Sequence, residues 1–130
     1  FPYTTLFRSD GDPAQMRAAL GPDRILGLSI ETADQMQQIP PGTVDYIGAG
    51  PIFATATKPD HAAPMGMAGL QQIVQLASVP VVAIGGIGLS DVAALRATGA
   101  AGMAVVSAIA GAENPQSAAA ALAQAWGASA

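Results

Sequence analysis

The sequence predicts an α/β protein built on a parallel sheet. Short apolar runs alternate along the chain with stretches whose apolar residues recur at helical spacing. The run at residues 79–84 is continuous and rich in β-branched side chains, which is typical of a strand covered on both faces. Uniform alternation of such strands with helices indicates parallel pairing through right-handed crossovers.

Capping residues set the boundaries of the predicted elements. Asp12 precedes Pro13 as a helix start, Gly21 is a helix stop, and Thr32 and Asn114 open two further helices. The predicted elements are, in order, helix 13–20, strand 24–29, helix 33–39, strand 45–48, helix 67–77, strand 79–84, a helix capped by Ser90 and stopped at Gly99, strand 103–106 and a helix from Pro115.

Two architectures fit strictly alternating units, an open doubly wound sheet and a (β/α)8 barrel. The order of elements does not separate them. A barrel needs at least about 200 residues, so on that interpretation the 130-residue chain holds only the last half.

The first nine residues, FPYTTLFRS, do not fit this pattern. They lack the cationic start and apolar middle of a secretion signal, and they resemble the translation of a sequencing adapter. We predict that residues 1–9 are a non-native segment, leave them out of the fold, and expect a truncated reading frame that begins near Asp10.

Composition restricts the class of protein. A hydrophobic content of 51% suffices for a packed core, and no apolar run approaches the roughly 18 residues of a membrane span. The net charge of −4, without a basic stripe, argues against nucleic acid and membrane as partners. The absence of cysteine excludes disulfides and thiolate metal sites. We expect a soluble protein, with the cytoplasm as its default location.

The most informative stretch is YIGAGPIFATATKPD at residues 46–60, where a strand runs into a Thr-x-Thr-Lys loop. Lys58 is the only lysine, and with Thr55 and Thr57 it offers one cation and two neutral donors. The loop follows the carboxyl end of a strand, which is the active face of parallel α/β folds. These donors suit a departing diphosphate; the alternative is a solvated lysine in a polar loop.

A second candidate site follows the strand at residues 79–84. Gly85 and Gly86 could leave backbone N–H groups exposed just before a helix begins, which would form a phosphate site. The alternative is that the two glycines only make a tight turn. Ser107, at the end of the next predicted strand, either donates a hydroxyl to the same anion or caps the chain. Barrels commonly build a phosphate site from their last two loops, which favours the functional interpretation.

Three further polar residues carry weaker signals. Asp10 is a candidate Mg²⁺ ligand because magnesium bound with phosphates takes one or two carboxylates, but an aspartate at a chain start is usually solvated. Ser29, at the end of the first predicted strand, stays ambiguous from the residues alone. His61, the only histidine, is assigned to the surface.

Residues 46–60, VVAIGGI at 81–87 and MAVVSAIAGAENP at 103–115, in this order and spacing, resemble the second half of thiamine phosphate synthase, a family of (β/α)8 barrel enzymes. The resemblance implies a partial TIM barrel, the last four strand-helix units, with residues 10–130 as the carboxyl-terminal portion of the synthase domain. Family members join 4-amino-2-methyl-5-(diphosphomethyl)pyrimidine to a thiazole ethyl phosphate with loss of pyrophosphate, and they use Mg²⁺.

The resemblance also implies roles in the pyrimidine site. Lys58 would hold the diphosphate, Ser29 would line the same site, and Asp10 would correspond to the second of two Mg²⁺ aspartates. The implied chemistry is dissociative: the diphosphate departs, a pyrimidine-stabilised cation forms, and the thiazole nitrogen captures it.

In the thiazole site, Thr55 and Thr57 would face the substrate, and its phosphate would be bound by Gly86, Val106 and Ser107. The related thiazole tautomerase generally lacks the Thr-x-Thr-Lys loop, so this loop favours the synthase.

Some family features are replaced or missing. Glu31 stands where relatives usually have His, and Gly88 where they have a small polar residue. A basic Gln-x-Arg-x-Lys segment and an Asn-Asp pair belong to the first half of the family's barrel. The competing hypothesis is therefore a catalytically inactive fragment that at most binds phosphate, with unpaired sheet edges at residues 25–28 and 103–106.

Overall fold

The computed structural model of the chain describes residues 3–6, 11–54 and 63–127. Within these residues, strands alternate with helices as predicted up to the last strand, after which two helices follow one another. The elements are β1 (Tyr3–Leu6), α1 (Pro13–Leu20), β2 (Ile25–Ile30), α2 (Ala33–Gln37), β3 (Tyr46–Ala49), α3 (Gly66–Leu76), β4 (Val81–Ile84), a 3₁₀ turn (Leu89–Asp91), α4 (Val92–Ala97), β5 (Gly102–Ala104), α5 (Ser107–Ala110) and α6 (Pro115–Trp126). No helix in these ranges is long and apolar enough to cross a membrane.

The sheet is parallel throughout, and its strand order is β1-β2-β3-β4-β5. The predicted α/β fold with a parallel sheet is therefore confirmed. An open doubly wound sheet reverses its strand order at one point, and no reversal occurs among the described strands. Right-handed crossovers that always advance in one direction place all their helices on the same face of the sheet.

The hydrophobic core lies between that face and the helices. The strand register sets Leu28, Ile47 and Val81 side by side, and these side chains are almost completely buried. Each such side chain contributes about 1.5–3 kcal/mol on burial. The helices supply the opposing layer, including Met36, Leu70, Ile73 and Leu95.

The opposite side of the sheet, here called the open face, carries the alternate positions of the same strands. On β4, Val81 and Ala83 are buried whereas Ile84 is 40% exposed. The prediction that this strand is covered on both faces is therefore wrong. The helices that contribute to the core, α1 to α4 and α6, pack on one side, so the second face has no layer over it among the described residues.

Local capping follows the sequence in three helices. The side chains of Asp12, Thr32 and Asn114 accept hydrogen bonds from Ala14 N, Gln35 N and Ser117 N at 3.0, 3.3 and 3.0 Å. These predicted caps are confirmed, because each needs only residues two or three positions away.

Ser90 does not cap a helix, contrary to prediction. The Asp91 carboxylate instead accepts a hydrogen bond from Gly88 N at 2.9 Å, so the turn begins at Gly88. Strand β5 also ends at Ala104, and Ser107 is the first residue of a short helix rather than the end of the strand.

Strand β1 lies within residues 1–9, and the prediction that these residues stand outside the fold is wrong for Tyr3–Leu6. This strand pairs with β2 in the register Tyr3↔Ile25 to Leu6↔Leu28. The predicted free edge at residues 25–28 is therefore covered, whereas β5 forms an edge of the sheet. The non-native origin of residues 1–9 stays a prediction.

Candidate active site

Four of the predicted site residues come together at the carboxyl edge of the sheet. Ser29 is the penultimate residue of β2, and Gly86 follows β4 by two positions. Val106 and Ser107 follow β5, whose Ala104 is paired with Ile84. Because parallel strands end at the same edge, these residues lie along one rim.

The loop after β3 continues the sheet beyond the ends of the strands. Ile52 N donates to Ile84 O at 3.1 Å, and Phe53 N donates to Gly85 O at 3.0 Å. Ile52 is fully buried. The first part of the loop is thereby fixed against the start of the Gly85-Gly86 turn.

The same loop is tied where it returns to α3. Met65 N donates to Pro51 O at 2.9 Å, and Gly66 N donates to Ile52 O at 2.8 Å. Thr55, Thr57 and Lys58 lie outside the described residues, between these two anchored parts of the chain. Their roles stay predictions.

Gly85 and Gly86 are required by the fold itself. Their φ angles are 105° and 68°, a region that L side chains rarely adopt. A Cβ atom at Gly86 would also lie 2.8 Å from Ala54 O and 2.9 Å from Phe53 O. The tight-turn interpretation therefore accounts for both glycines, while the exposure of Gly86 leaves its backbone open to an anion.

The neighbouring rim is formed by the start of α5. Val106 is 60% exposed and Ser107 is also exposed. The carbonyl of Val106 accepts a hydrogen bond from Ala110 N at 2.8 Å, whereas N–H groups in the first turn of a helix have no partner within it. Such groups beside a serine hydroxyl can bind a phosphate oxygen.

The open face near this rim contains two residues that sequence reasoning did not select. Tyr46 on β3 is paired with Gly27 on β2, and a Cβ atom at Gly27 would collide with the tyrosine ring. The ring therefore lies across β2 at Gly27. One layer closer to the rim, Gly48 is paired with the half-buried Ser29. The signal available in the sequence was the alternation Tyr46, Gly48, Gly50 along β3 and into the loop that follows it.

An ion pair lies at the opposite edge, where the strands begin. The Arg17 guanidinium donates to the Asp45 carboxylate at 2.7 Å, and Leu26 N donates to the same carboxylate at 2.7 Å. The hydrogen bond from Leu26 N–H is the main reason that the pKa of Asp45 is lowered, and the hydrogen bond from Arg17 lowers this pKa further. In parallel α/β folds this edge is remote from the active face.

Within residues 11–54 and 63–127, no group of three His, Cys, Asp or Glu side chains could hold a metal ion. Asp10, the predicted magnesium ligand, lies outside the described residues.

The fold and this rim define an α/β protein with its candidate site at the carboxyl ends of parallel strands. A family model described as thiamine monophosphate synthase matches residues 6–109. The chain belongs to the thiamine monophosphate synthase family.

Relatives and solved structures agree with this assignment. The chain is 49% identical over 108 residues to the thiamine-phosphate synthase of Vibrio parahaemolyticus, covering 82% of this chain and 53% of that relative. For the thiamine-phosphate synthase of Roseiflexus sp., the identity is 41%, covering 87% of this chain and 48% of the relative. The chain thus spans about half the length of the curated relatives it matches.

Among solved structures, thiamine phosphate pyrophosphorylase from Pyrococcus furiosus superposes with a TM-score of 0.82 at 32% identity, over 94% of this chain and 57% of that chain. A 3-hexulose-6-phosphate synthase superposes with a TM-score of 0.66 at 20% identity, which shows a likeness of fold alone.

Proposed function

We propose that this chain is part of a thiamine phosphate synthase, a transferase that condenses 4-amino-2-methyl-5-(diphosphomethyl)pyrimidine with a thiazole ethyl phosphate. The products are thiamine phosphate and pyrophosphate. The observation that carries the proposal is the family match over residues 6–109, together with 49% identity to a relative of that name. A cytoplasmic location and small-molecule partners belong to the same proposal.

We propose further that the sheet is about half of a (β/α)8 barrel. Strands that follow one another in sequence order, with the helices α1 to α4 and α6 packed on one side, are the arrangement of a singly wound barrel. The open face would then be the interior of the barrel. The share of the relatives that the chain spans supports this interpretation.

One substrate phosphate is assigned to the end of the rim formed by β4 and β5. We propose that Gly86, Val106 and Ser107 bind the phosphate of the thiazole substrate through backbone N–H groups and the serine hydroxyl. The support is that these three residues are exposed and follow neighbouring strands.

The diphosphate is assigned to the loop after β3. Lys58 would neutralise the departing diphosphate as the bond between the methylene carbon and oxygen breaks. Thr55 and Thr57 would face the thiazole, whose nitrogen lone pair forms the new bond to carbon, so no general base is needed. The anchoring of this loop beside Gly85 supports a location next to the phosphate end.

Magnesium belongs to the proposal through the family resemblance alone. The described residues supply no donor set for it, and Asp10 would be one of its ligands. When bound, the ion would add positive charge at the leaving diphosphate; no step is derived through it. We expect chelation of divalent cations to abolish product formation, and activity that persists after chelation would contradict the requirement.

The direct test uses an enzyme completed at its amino-terminal side. In this chimera, hereafter the completed enzyme, the part of the Vibrio parahaemolyticus relative that the chain does not span precedes residue 10, so that Asp10 is kept. We expect thiamine phosphate and pyrophosphate to form only when both substrates are present. A well-folded completed enzyme without product would overturn the proposed function.

The same assay addresses the alternatives. The family match and the named relatives support the hypothesis of a synthase, and they lend no support to the alternatives of a thiazole tautomerase or an inactive fragment. For residues 10–130 alone we expect no turnover, because half of the pyrimidine site is assigned to the part of the relatives that the chain does not span. Product formed by this piece would contradict that expectation.

A further inference from the structure

Gly27 on β2, Gly48 on β3 and Gly50 in the loop after β3 differ in whether the structure would allow a side chain there. At Gly27 a side chain would collide with the Tyr46 ring, and at Gly50 it would collide with the carbonyl of Ile84. At Gly48 the nearest atom to an added Cβ is Ser29 Oγ at 3.6 Å, an ordinary van der Waals distance, and its φ is not positive.

Gly48 is therefore not explained by packing or by backbone conformation. Glycine within a strand is entropically unfavourable relative to alanine and leaves nothing to pack. Gly48 lies on the open face of a strand that leads to the candidate site, and the described structure does not require a glycine there. We therefore interpret the missing side chain as space for a ligand.

The surroundings of Gly48 define a slot on the open face. The Tyr46 ring occupies the layer below, because it lies across β2 at Gly27. In the layer of Gly48 itself, the register places Ser29 on one side and Val82 on the other. The slot thus has an aromatic floor, a hydroxyl at one edge and an aliphatic side chain at the other.

These features suit a flat heteroaromatic ring. Aromatic rings pack on one another in offset stacks or edge to face, and the aliphatic edge excludes water from the ring faces. The hydroxyl of Ser29 can pair with a ring nitrogen or an amino group. A pyrimidine carries several such groups, whereas the single nitrogen of a thiazole is the nucleophile of the proposed reaction and must stay free.

Resting on the proposed function, we propose that Gly48 is a specificity-determining position whose missing side chain admits the pyrimidine ring above Tyr46. A methyl group at this position would narrow the slot without touching the phosphate end. One methyl or methylene group typically changes discrimination in an enzyme pocket by about 10-fold or more.

The test compares Gly48→Ala with Gly102→Ala in the completed enzyme. Gly102 is two strands away, and a Cβ there meets nothing within 4 Å, so it is a matched control for the added methyl group. We expect Gly48→Ala to raise the KM for the pyrimidine diphosphate about 10-fold and to leave the KM for the thiazole phosphate unchanged. The control is expected to change neither, and thermal unfolding is measured for both variants.

Each result bears on the proposal. Unchanged kinetics in Gly48→Ala, or a selective rise in the KM for the thiazole, would overturn it. A lower unfolding temperature without a change in KM would also overturn it, because Gly48 would then be required by the packing of the fold and not by a substrate. If the completed enzyme before substitution forms no thiamine phosphate, the proposed function fails and this assignment fails with it.

Discussion

The two edges of the sheet are built for different purposes. At the amino edge, Arg17 donates to the carbonyls of Thr43, Gly21 and Arg24 and to the carboxylate of Asp45, at 2.7–3.0 Å. At the carboxyl edge, the candidate site residues Gly86, Val106 and Ser107 are exposed. Polar groups are paired within the protein at one edge and remain accessible to ligands at the other.

This difference separates stability from function within one sheet. A guanidinium that joins α1 to the segments before β2 and β3 fixes where those strands start. Fixed starts allow the opposite ends to carry glycines and polar loops that contribute little to packing. Substitutions at the two edges should therefore affect different measurements.

The largest effect on activity is expected from Lys58→Ala in the completed enzyme. Losing the lysine proposed to neutralise the diphosphate should lower kcat by about 10²–10³-fold, the range seen when a group that stabilises developing charge is removed. The unfolding temperature should stay unchanged. Arg24→Ala, which removes an exposed cation just before β2, is the control, and an unchanged kcat in Lys58→Ala would refute the diphosphate role.

The largest effect on stability is expected from Arg17→Ala. Its loss removes a donor from three carbonyls and leaves the Asp45 carboxylate with only the hydrogen bond from Leu26 N, which should lower the free energy of unfolding by about 2–3 kcal/mol. Denaturant unfolding measures this change, again with Arg24→Ala as control. The kcat of the folded fraction should be retained. A fall in kcat comparable to that of Lys58→Ala would contradict the conclusion that the amino edge serves stability and the carboxyl edge serves function.

Ser107→Ala should have a smaller, selective effect at the carboxyl edge. Removing a hydroxyl bonded to a charged phosphate should raise the KM for the thiazole phosphate about 10-fold, with little change for the pyrimidine. Ser90→Ala is the control, because Ser90 is an exposed serine that caps no helix. An equal rise in both KM values would argue against a local phosphate contact.

The smallest effect is a pH dependence at the amino edge. The pKa of Asp45 is lower in the folded chain than in the unfolded one, because Leu26 N–H and Arg17 stabilise the carboxylate. Its contribution is therefore present above the unfolded pKa of about 3.9 and is lost as the pH falls through the folded pKa. The stability difference between the natural chain and Asp45→Asn should shrink below about pH 4, and a constant difference would contradict this.

Much of the local structure could be predicted from short sequence patterns. The caps at Asp12, Thr32 and Asn114 were predicted because their partners lie two or three residues away. The prediction that Ser90 caps a helix was wrong for a local reason as well, because the neighbouring Asp91 forms the hydrogen bond that starts the turn. The carboxylate one position after Ser90, and not the serine hydroxyl, accepts the backbone hydrogen bond at the start of the turn.

The candidate site was predictable only in part. The positions of Ser29, Gly86, Val106 and Ser107 at one rim follow from alternation alone, since parallel strands end together. The collision that places Tyr46 over Gly27 joins residues 19 positions apart in the numbering, and the Arg17 to Asp45 bond joins residues 28 apart. No local pattern reports such contacts.

The sequence by itself determined the alternation of elements, the parallel sheet, the family and the rim on which its polar residues lie. These follow from hydrophobic periodicity, from capping residues and from motifs that are each local in the chain. Only the tertiary structure decided that one face of the sheet carries the helices of the core, that Arg17 joins the strand starts, and that Gly48 has room beside it. The physical reason is the strand register, which sets residues of different strands side by side.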